Sequence, residues 1–279
     1  MIKRKHMWDN ALTVIMTLLC LLWVYPIALI FINSLKKEGT FTTSTVFALP
    51  TKETFVGLEN YTYGIFKMNF LSSLGYSLLI TLTSVVLILL CCSMTGWYLT
   101  RVNNKLSKFM NLLIVFSMVV PFQMVMFTLS NMADTLHMRT PWTIWIIYLG
   151  FGAGLAVFMF CGFMKSVPLE IEEASMIDGC NPIQTYFKVV FPLLKPITMT
   201  SIVLAFLASW NDFIISMIIC QKLDRRTLPL MQFYFFGEYS ANVNVAFAAS
   251  LIAMLPAVII YFCAQKYIVA GMPAGAVKS

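Results

Sequence analysis

SSLGYSLLITLTSVVLILLCCSMTGWY, residues 72–98, runs for twenty-seven positions without an Asp, Glu, Lys or Arg. About 20 such residues are needed to cross the hydrocarbon core of a bilayer. In lipid the backbone must satisfy its own polar groups, so a stretch of this kind is a helix. It lacks the period-two alternation of a membrane barrel strand. Five further apolar blocks lie around it, at about Asn10–Ile32, Phe109–Ser130, Pro141–Met164, Pro196–Cys220 and Val245–Tyr267. Hydrophobic residues make up 59% of the chain and charged residues 11%, against roughly 25% charged in a soluble domain. The expected fold class is an all-α membrane protein with about six transmembrane helices in a single domain, residues 1–279.

The first block follows Lys3, Arg4 and Lys5, as a signal peptide would. It is too long for one and no small-residue cleavage site follows, so it reads as a span. Six spans put both termini on one side. With the termini inside, inner segments hold eleven of the nineteen basic residues and outer segments eight, which favours cytoplasmic ends. The net charge of +7 then reflects topology and contact with membrane lipid. No stretch concentrates the basic residues, which argues against nucleic acid as a partner.

The seven cysteines show no framework, and His6 and His137 are far apart, so no metal site is expected. Cysteines and the nineteen methionines read as apolar filler in helix packing. No phosphate-binding loop of the Gly-x4-Gly-Lys-Ser/Thr type is present, so the chain is expected to bind no nucleotide itself. Gly150-Phe151-Gly152-Ala153-Gly154 opens a span, where small residues serve close helix contact.

Two connections stand out. Residues 33–71 form a long Thr- and Lys-rich loop, extracytoplasmic on the chosen topology. Residues 168–192 form an inner loop holding Glu170, Glu172, Glu173 and Asp178, four of the twelve acidic residues. Pro168 suits a first helical turn, where its missing N–H is no loss. Residues 169–178 are good helix material with acids near the positive end of the dipole. Gly179 suits a left-handed stop. Asn181, Pro182 and Gln184 then spell a second start, with Asn181 and Gln184 able to form a capping box. Pro192 and Pro196 end that helix and lead into the fifth span.

On the first short helix, Ile171, Ala174 and Met176 or Ile177 can make an apolar ridge, with small Ala174 and Ser175 permitting close approach. Glu172, Glu173 and Asp178 place charge around it. Two readings stay open from pattern alone: a protruding element that docks in a soluble partner, or an amphipathic connector on lipid headgroups. Interfacial helices favour Lys and Arg, which this one lacks.

Glu173-Ala174-Ser175, three residues, Gly179, nine residues, then Val189-Val190-Phe191-Pro192 resembles the EAA loop of ABC importer permeases. The spacing agrees throughout. Ser175, Val189 and Phe191 depart from the usual Ala, Ile and Leu. The resemblance covers most of the chain and is closest to the smaller six-span subunit of maltose-type carbohydrate permeases. Trp210-Asn211-Asp212-Phe213, Pro121 and the segment from Gln265 to Lys278 match that group, whereas Tyr76-Ser77 stands where Asn-Ser is common. The resemblance implies a multi-pass protein of a bacterial or archaeal plasma membrane that forms half of a sugar pathway by alternating access. It implies a second permease subunit, two ATPase subunits that hold ATP and Mg, and an extracytoplasmic solute-binding protein. This chain would carry no cofactor and would be no enzyme. Glu173, Ala174, Ser175, Asp178 and Gly179 would couple to the ATPase, and Gly275 and Lys278 would lie in a tail reaching towards it.

Asp212 is the only acid well inside an expected span. An ionised acid at mid-membrane costs about 2.5–3.5 kcal/mol on insertion scales, so it should face protein or water. With Trp210, Asn211 and Gln123 it is a candidate for the solute pathway, Trp210 offering a flat apolar face to a sugar ring. The alternative is that Asn211 and Asp212 pair with neighbouring helices or sit at the outer end of the span. Rival functions are an importer of glycerol-phosphate or a polyol, and a gradient-driven secondary transporter. The latter normally shows internal repeats and several midplane ionisable groups.

Overall fold

The computed structural model describes residues 2–40, 45–67, 69–222, 225–238 and 242–271. Among these residues the regular elements are helices: α1 (Ile2–Ser34), α2 (Glu59–Lys67), α3 (Phe70–Arg101), α4 (Lys105–Val119), α5 (Phe122–Thr135) and α6 (Ile144–Met164). They continue with α7 (Leu169–Ile177), α8 (Pro182–Leu193), α9 (Lys195–Trp210), α10 (Ile214–Ile219), α11 (Leu228–Glu238) and α12 (Val243–Gly271). Within α8 the residues Tyr186–Val190 form a π turn.

Among the described residues four helices are long and apolar enough to cross a membrane: Asn10–Ser34 of α1, α3, α6, and Val243–Cys263 of α12. Two bent pairs raise the number to six if each is one span: α4 with α5, bent by 105°, and α8 with α9, bent by 80°. The expected span Phe109–Ser130 is therefore broken. Pro121 is the cause: its ring excludes helical geometry at the residue before it, and Val120 is extended at φ −75°, ψ 114°.

The expected span Pro196–Cys220 is likewise broken, at Asn211–Phe213. Its first piece, α9, has 16 residues, or about 24 Å, short of the ~30 Å hydrocarbon core. The bend before α9 falls at Leu194, where Pro196 has no N–H for the carbonyl four residues back. The helices α2 and α11 were not expected from the apolar blocks.

The chain divides into two compact units. One comprises Met1–Leu71 and Met231–Leu255. Here the loop after α1 is folded onto side-chain amides. Asn60 Nδ2 donates to the carbonyls of Ser34 (2.7 Å) and Lys36 (2.8 Å), and Asn33 Nδ2 to those of Leu29 and Val46 (both 2.8 Å). Asn244 Nδ2 donates to the Asn33 carbonyl at 2.8 Å. Lys36 is 2% exposed, pairs with Phe55 in an antiparallel bridge, and donates from Nζ to Asn33 Oδ1 at 2.9 Å. Burial pushes its ammonium below the ordinary lysine range.

The second unit comprises Ser72–Leu230 and Pro256–Ser279. Its core joins Ile80 of α3, Leu129 and Ala133 of α5, Ile144 and Ile147 of α6, and Ile215 and Ile219 of α10. Small residues set the helix spacing, as the sequence suggested for Gly152 and Gly154. A Cβ on Gly152 would lie 2.7 Å from Ile88 Cδ1, and one on Gly154 2.5 Å from Met118 Cγ. Gly96 of α3 meets Phe160 of α6 as closely, at 2.7 Å. Gly150 has open space around it.

Candidate functional site

The acidic connection folds as a capped helix–turn–helix. Asp178 closes α7, and Gly179 follows at φ +88°, the left-handed region. Cys180 N–H reaches the Ser175 carbonyl (3.0 Å) and Gly179 N–H the Met176 carbonyl (3.1 Å), the bond pair of a Schellman stop. Two residues on, Asn181 Oδ1 accepts from Gln184 N–H (2.9 Å) and Gln184 Oε1 from Asn181 N–H (3.0 Å). This is the expected capping box, with Pro182 in the first turn.

The element has two unlike faces. Ile171, Glu173, Ala174, Met176, Ile177, Asp178 and Gly179 are exposed, Ile177 by 86%. Ile171, Ala174 and Ile177 recur at three-residue steps and make the ridge. Ser175 is turned inward instead, its hydroxyl 2.8 Å from Thr185 Oγ1, so it ties α7 to α8. Glu172 is also not a surface charge. It is 2% exposed and takes Arg101 in an ion pair at 2.7 Å and Trp97 Nε1–H at 2.8 Å. Tyr186 is fully buried, with its hydroxyl on Ser93 Oγ and its ring 5.2 Å from that of Trp97. Sequence reasoning missed these anchors. Their signal was a polar stripe, Ser93, Trp97 and Arg101, at four-residue steps on an otherwise apolar helix.

The broken helices meet at a cavity of 320 Å³ lined by Ile88, Phe122, Gln123, Tyr148, Phe151, Gly152, Ser209, Asp212 and Ile215, among others. Helix interruptions at membrane depth are tolerated where they are buried in protein or face a water-filled cavity. Here α5 begins with Phe122 and Gln123 in the cavity wall, and α10 begins beside Asp212. The Asp212 carboxylate accepts Ser216 N–H (3.0 Å) and so caps α10, and it accepts the Tyr148 hydroxyl (2.7 Å). Phe122 and Phe151 meet edge to face at 5.1 Å and supply apolar ring surface.

Of the four residues read as solute-facing, Gln123 and Asp212 come together in this wall. Trp210 does not line it: it is buried, stacked on Phe206 at 5.4 Å. Asn211 is exposed at the break and is not among the lining residues. Tyr148, Phe151 and Ser209 were missed, since nothing in an apolar block marks which face a cavity occupies. Gly275 and Lys278 lie outside the described residues.

Residues 92–272 match the family described as binding-protein-dependent transport system inner membrane component. The chain is 37% identical over 276 residues to the "Probable starch degradation products transport system permease protein AmyC" of Thermoanaerobacterium thermosulfurigenes, covering 99% of each. It is 31% identical over 284 residues to the "Multiple sugar-binding transport system permease protein MsmG" of Streptococcus mutans, covering 99% of this chain and 98% of that one. The fold matches a chain of a bacterial ABC transporter involved in import of the acidic polysaccharide alginate. The TM-score is 0.79 at 23% identity, over 94% of this chain and 96% of the other. The chain therefore belongs to the family of binding-protein-dependent transport system inner membrane components: it is a permease subunit of an ABC transporter, a transport component rather than an enzyme.

Proposed function

We propose that this permease forms half of the translocation pathway for a neutral carbohydrate. In this reading both termini and the α7–α8 element face the cytoplasm, and residues 33–71 face outwards. Residues 168–192 are the coupling loop. Glu173, Ala174, Asp178 and Gly179 sit on its docking side, and Ser175 braces it from within. A second permease subunit completes the pathway, two ATPase subunits bind ATP and Mg, and an extracytoplasmic binding protein delivers the solute. The tail with Gly275 and Lys278 extends towards the ATPase.

The observation that carries this reading is the α7 ridge. Ile171, Ala174 and Ile177 are open on a helix that is closed at Gly179 and anchored on its other face through Glu172 and Ser175. An apolar ridge on a rigid projection suits a cleft in a partner protein, and the acids beside it suit headgroups poorly. The cavity supports a neutral solute. Among the described residues its lining includes Gln123, Ser209, Tyr148 and Asp212 as hydrogen-bonding groups and no Lys, Arg or His. A phosphate-bearing solute would call for a cation there. Its volume lies at the low end of the ~300–1,000 Å³ usual for small-molecule sites. The named relatives, which carry starch degradation products and multiple sugars, point to the same class.

The mechanism follows as alternating access. ATP-driven closure of the ATPase pair draws the α7–α8 element inwards, and differential affinity of the ATPase states biases which side the cavity opens to. The test is labelling of Cys180, which is half-buried at the turn. In intact cells a membrane-impermeant maleimide should leave it unmodified, and in inside-out vesicles the same reagent should modify it. Modification from outside intact cells would overturn the topology on which the reading stands.

A further inference from the structure

Three side chains of α3, Ser93, Trp97 and Arg101, lie four residues apart and so share one stripe of the helix. All three are occupied by the α7–α8 element. Ser93 shares a hydroxyl hydrogen bond with Tyr186 of α8. Trp97 Nε1–H donates to Glu172 Oε2 at 2.8 Å. Arg101 donates from Nε to Glu172 Oε1 at 2.9 Å and from its second terminal nitrogen to the Val167 carbonyl at 2.8 Å. The grip therefore takes both helices of the element and the chain leading into them.

A buried ion pair contributes little net stability, because desolvation offsets the attraction. Its effect is directional. Removing one partner strands the other charge in a buried place, so the pair holds one geometry against displacement.

The helix that holds this grip reaches the cavity without a break. It has 32 residues, about 48 Å, and contains no proline. Ile88, on the same helix, lines the 320 Å³ cavity and packs on Gly152. Gly96, within the grip between Ser93 and Trp97, lets α3 seat on Phe160 of α6. The route along the chain from α8 into α9 passes instead through the 80° bend.

We propose that α3 is the element that carries movement from the α7–α8 turn to the solute cavity, with the Arg101–Glu172 pair as its joint. This rests on the reading of α7–α8 as the ATPase-docking element. Arg101, Glu172 and Trp97 are positioning residues: none belongs to the exposed ridge or to the cavity lining.

The test uses the assembled complex in proteoliposomes, with the exposed native cysteines replaced by serine and Ser209→Cys placed in the cavity wall. The probe is a small charged methanethiosulfonate, and the readout is its rate of reaction at position 209 in nucleotide-free and vanadate-trapped states. The unaltered joint should give a nucleotide-dependent change in rate. Arg101→Gln should reduce that change about tenfold, a usual size for coupling between sites, while ATP hydrolysis stays within about threefold.

If Arg101→Gln does not accumulate, Trp97→Phe, which removes one donor to Glu172 and keeps an aromatic ring, is read the same way. A full nucleotide response in Arg101→Gln or Trp97→Phe overturns the proposal. Docking is read separately, by cross-linking Ile177→Cys to the ATPase. Absence of that cross-link sinks the docking reading and this proposal together, whereas a cross-link with an undiminished response in Arg101→Gln sinks this proposal alone.

Discussion

Tyr148 gives its hydroxyl hydrogen to Asp212 at 2.7 Å, and the same carboxylate oxygen receives the N–H of Ser216 at 3.0 Å. One acid thus serves α6 and the start of α10 together, at the edge of the cavity. An acid at membrane depth has to find partners in protein or water.

Cutting one of these bonds at a time should separate solute binding from folding. Tyr148→Phe leaves the cap on α10 and removes a hydrogen bond to a charged group, worth about 1.5–3 kcal/mol. Solute-stimulated ATPase activity should then need roughly 10- to 100-fold more solute, with a loss of thermal stability no larger than that one bond. Asp212→Ala also strips the cap, worth about 1 kcal/mol more, and should lower the unfolding temperature as well. Unchanged solute dependence in both variants would remove the cavity from the pathway.

At Gly179 the positive φ of 88° is the constraint, because an added Cβ meets nothing within 4 Å. The cost of substitution is therefore set by backbone conformation. Asn enters the left-handed region more readily than Ala, and a β-branched residue least of all. Coupled uptake should fall in the order Gly, Asn, Ala, Val, with Gly179→Val hydrolysing ATP without transport. Full uptake by a well-expressed Gly179→Val protein would count against the docking role of the turn.

The glycines of α3 and α6 should divide sharply. A Cβ on Gly96 meets Phe160 Cβ at 2.7 Å, an atom fixed to the backbone, so the two helices must separate. Gly96→Ala should cost about 1–3 kcal/mol, typical of overpacking. Gly150→Ala enters open space in a helix and should be neutral or stabilising by up to about 1 kcal/mol. Unfolding temperatures in detergent give the comparison, and equal values for the two variants would mean the contact at Gly96 is not tight.

Lys36 supplies a pH dependence. Its folded-state pKa is lowered from 10.5 by burial, so between the lowered value and 10.5 the unfolded chain binds more protons than the folded one. Stability therefore rises with pH through that window and is flat below it. The unfolding temperature of the native chain should gain on that of Lys36→Met as the pH rises towards 10.5. A difference that shrinks over this range would reverse the sign assigned to Lys36.

Much of this was readable in advance, and the failures have physical causes. Gly179, Asn181, Pro182 and Gln184 are local signals, because each acts on backbone within four residues, and the turn formed as they indicate. Pro121 marked the place of the bend but not its size: a proline interrupts a helix, while the 105° angle depends on what the two halves pack against. Glu172 and Glu173 are adjacent and chemically alike, yet one is buried on Arg101 and the other is exposed. Composition cannot separate them. The deciding fact is a partner seventy-one residues earlier in the chain. Trp210 shows the converse error: an aromatic next to polar residues looked like a sugar platform, and it stacks on Phe206 one turn away.

The ridge of Ile171, Ala174 and Ile177 also bears on how cells must manufacture this protein. On the proposed topology, a copy lacking its motor subunit holds a greasy tooth out in the cytosol, where chaperones and proteases patrol for such surfaces. Surplus copies become clients of that surveillance, so balanced synthesis of the two gene products is a requirement of the fold itself.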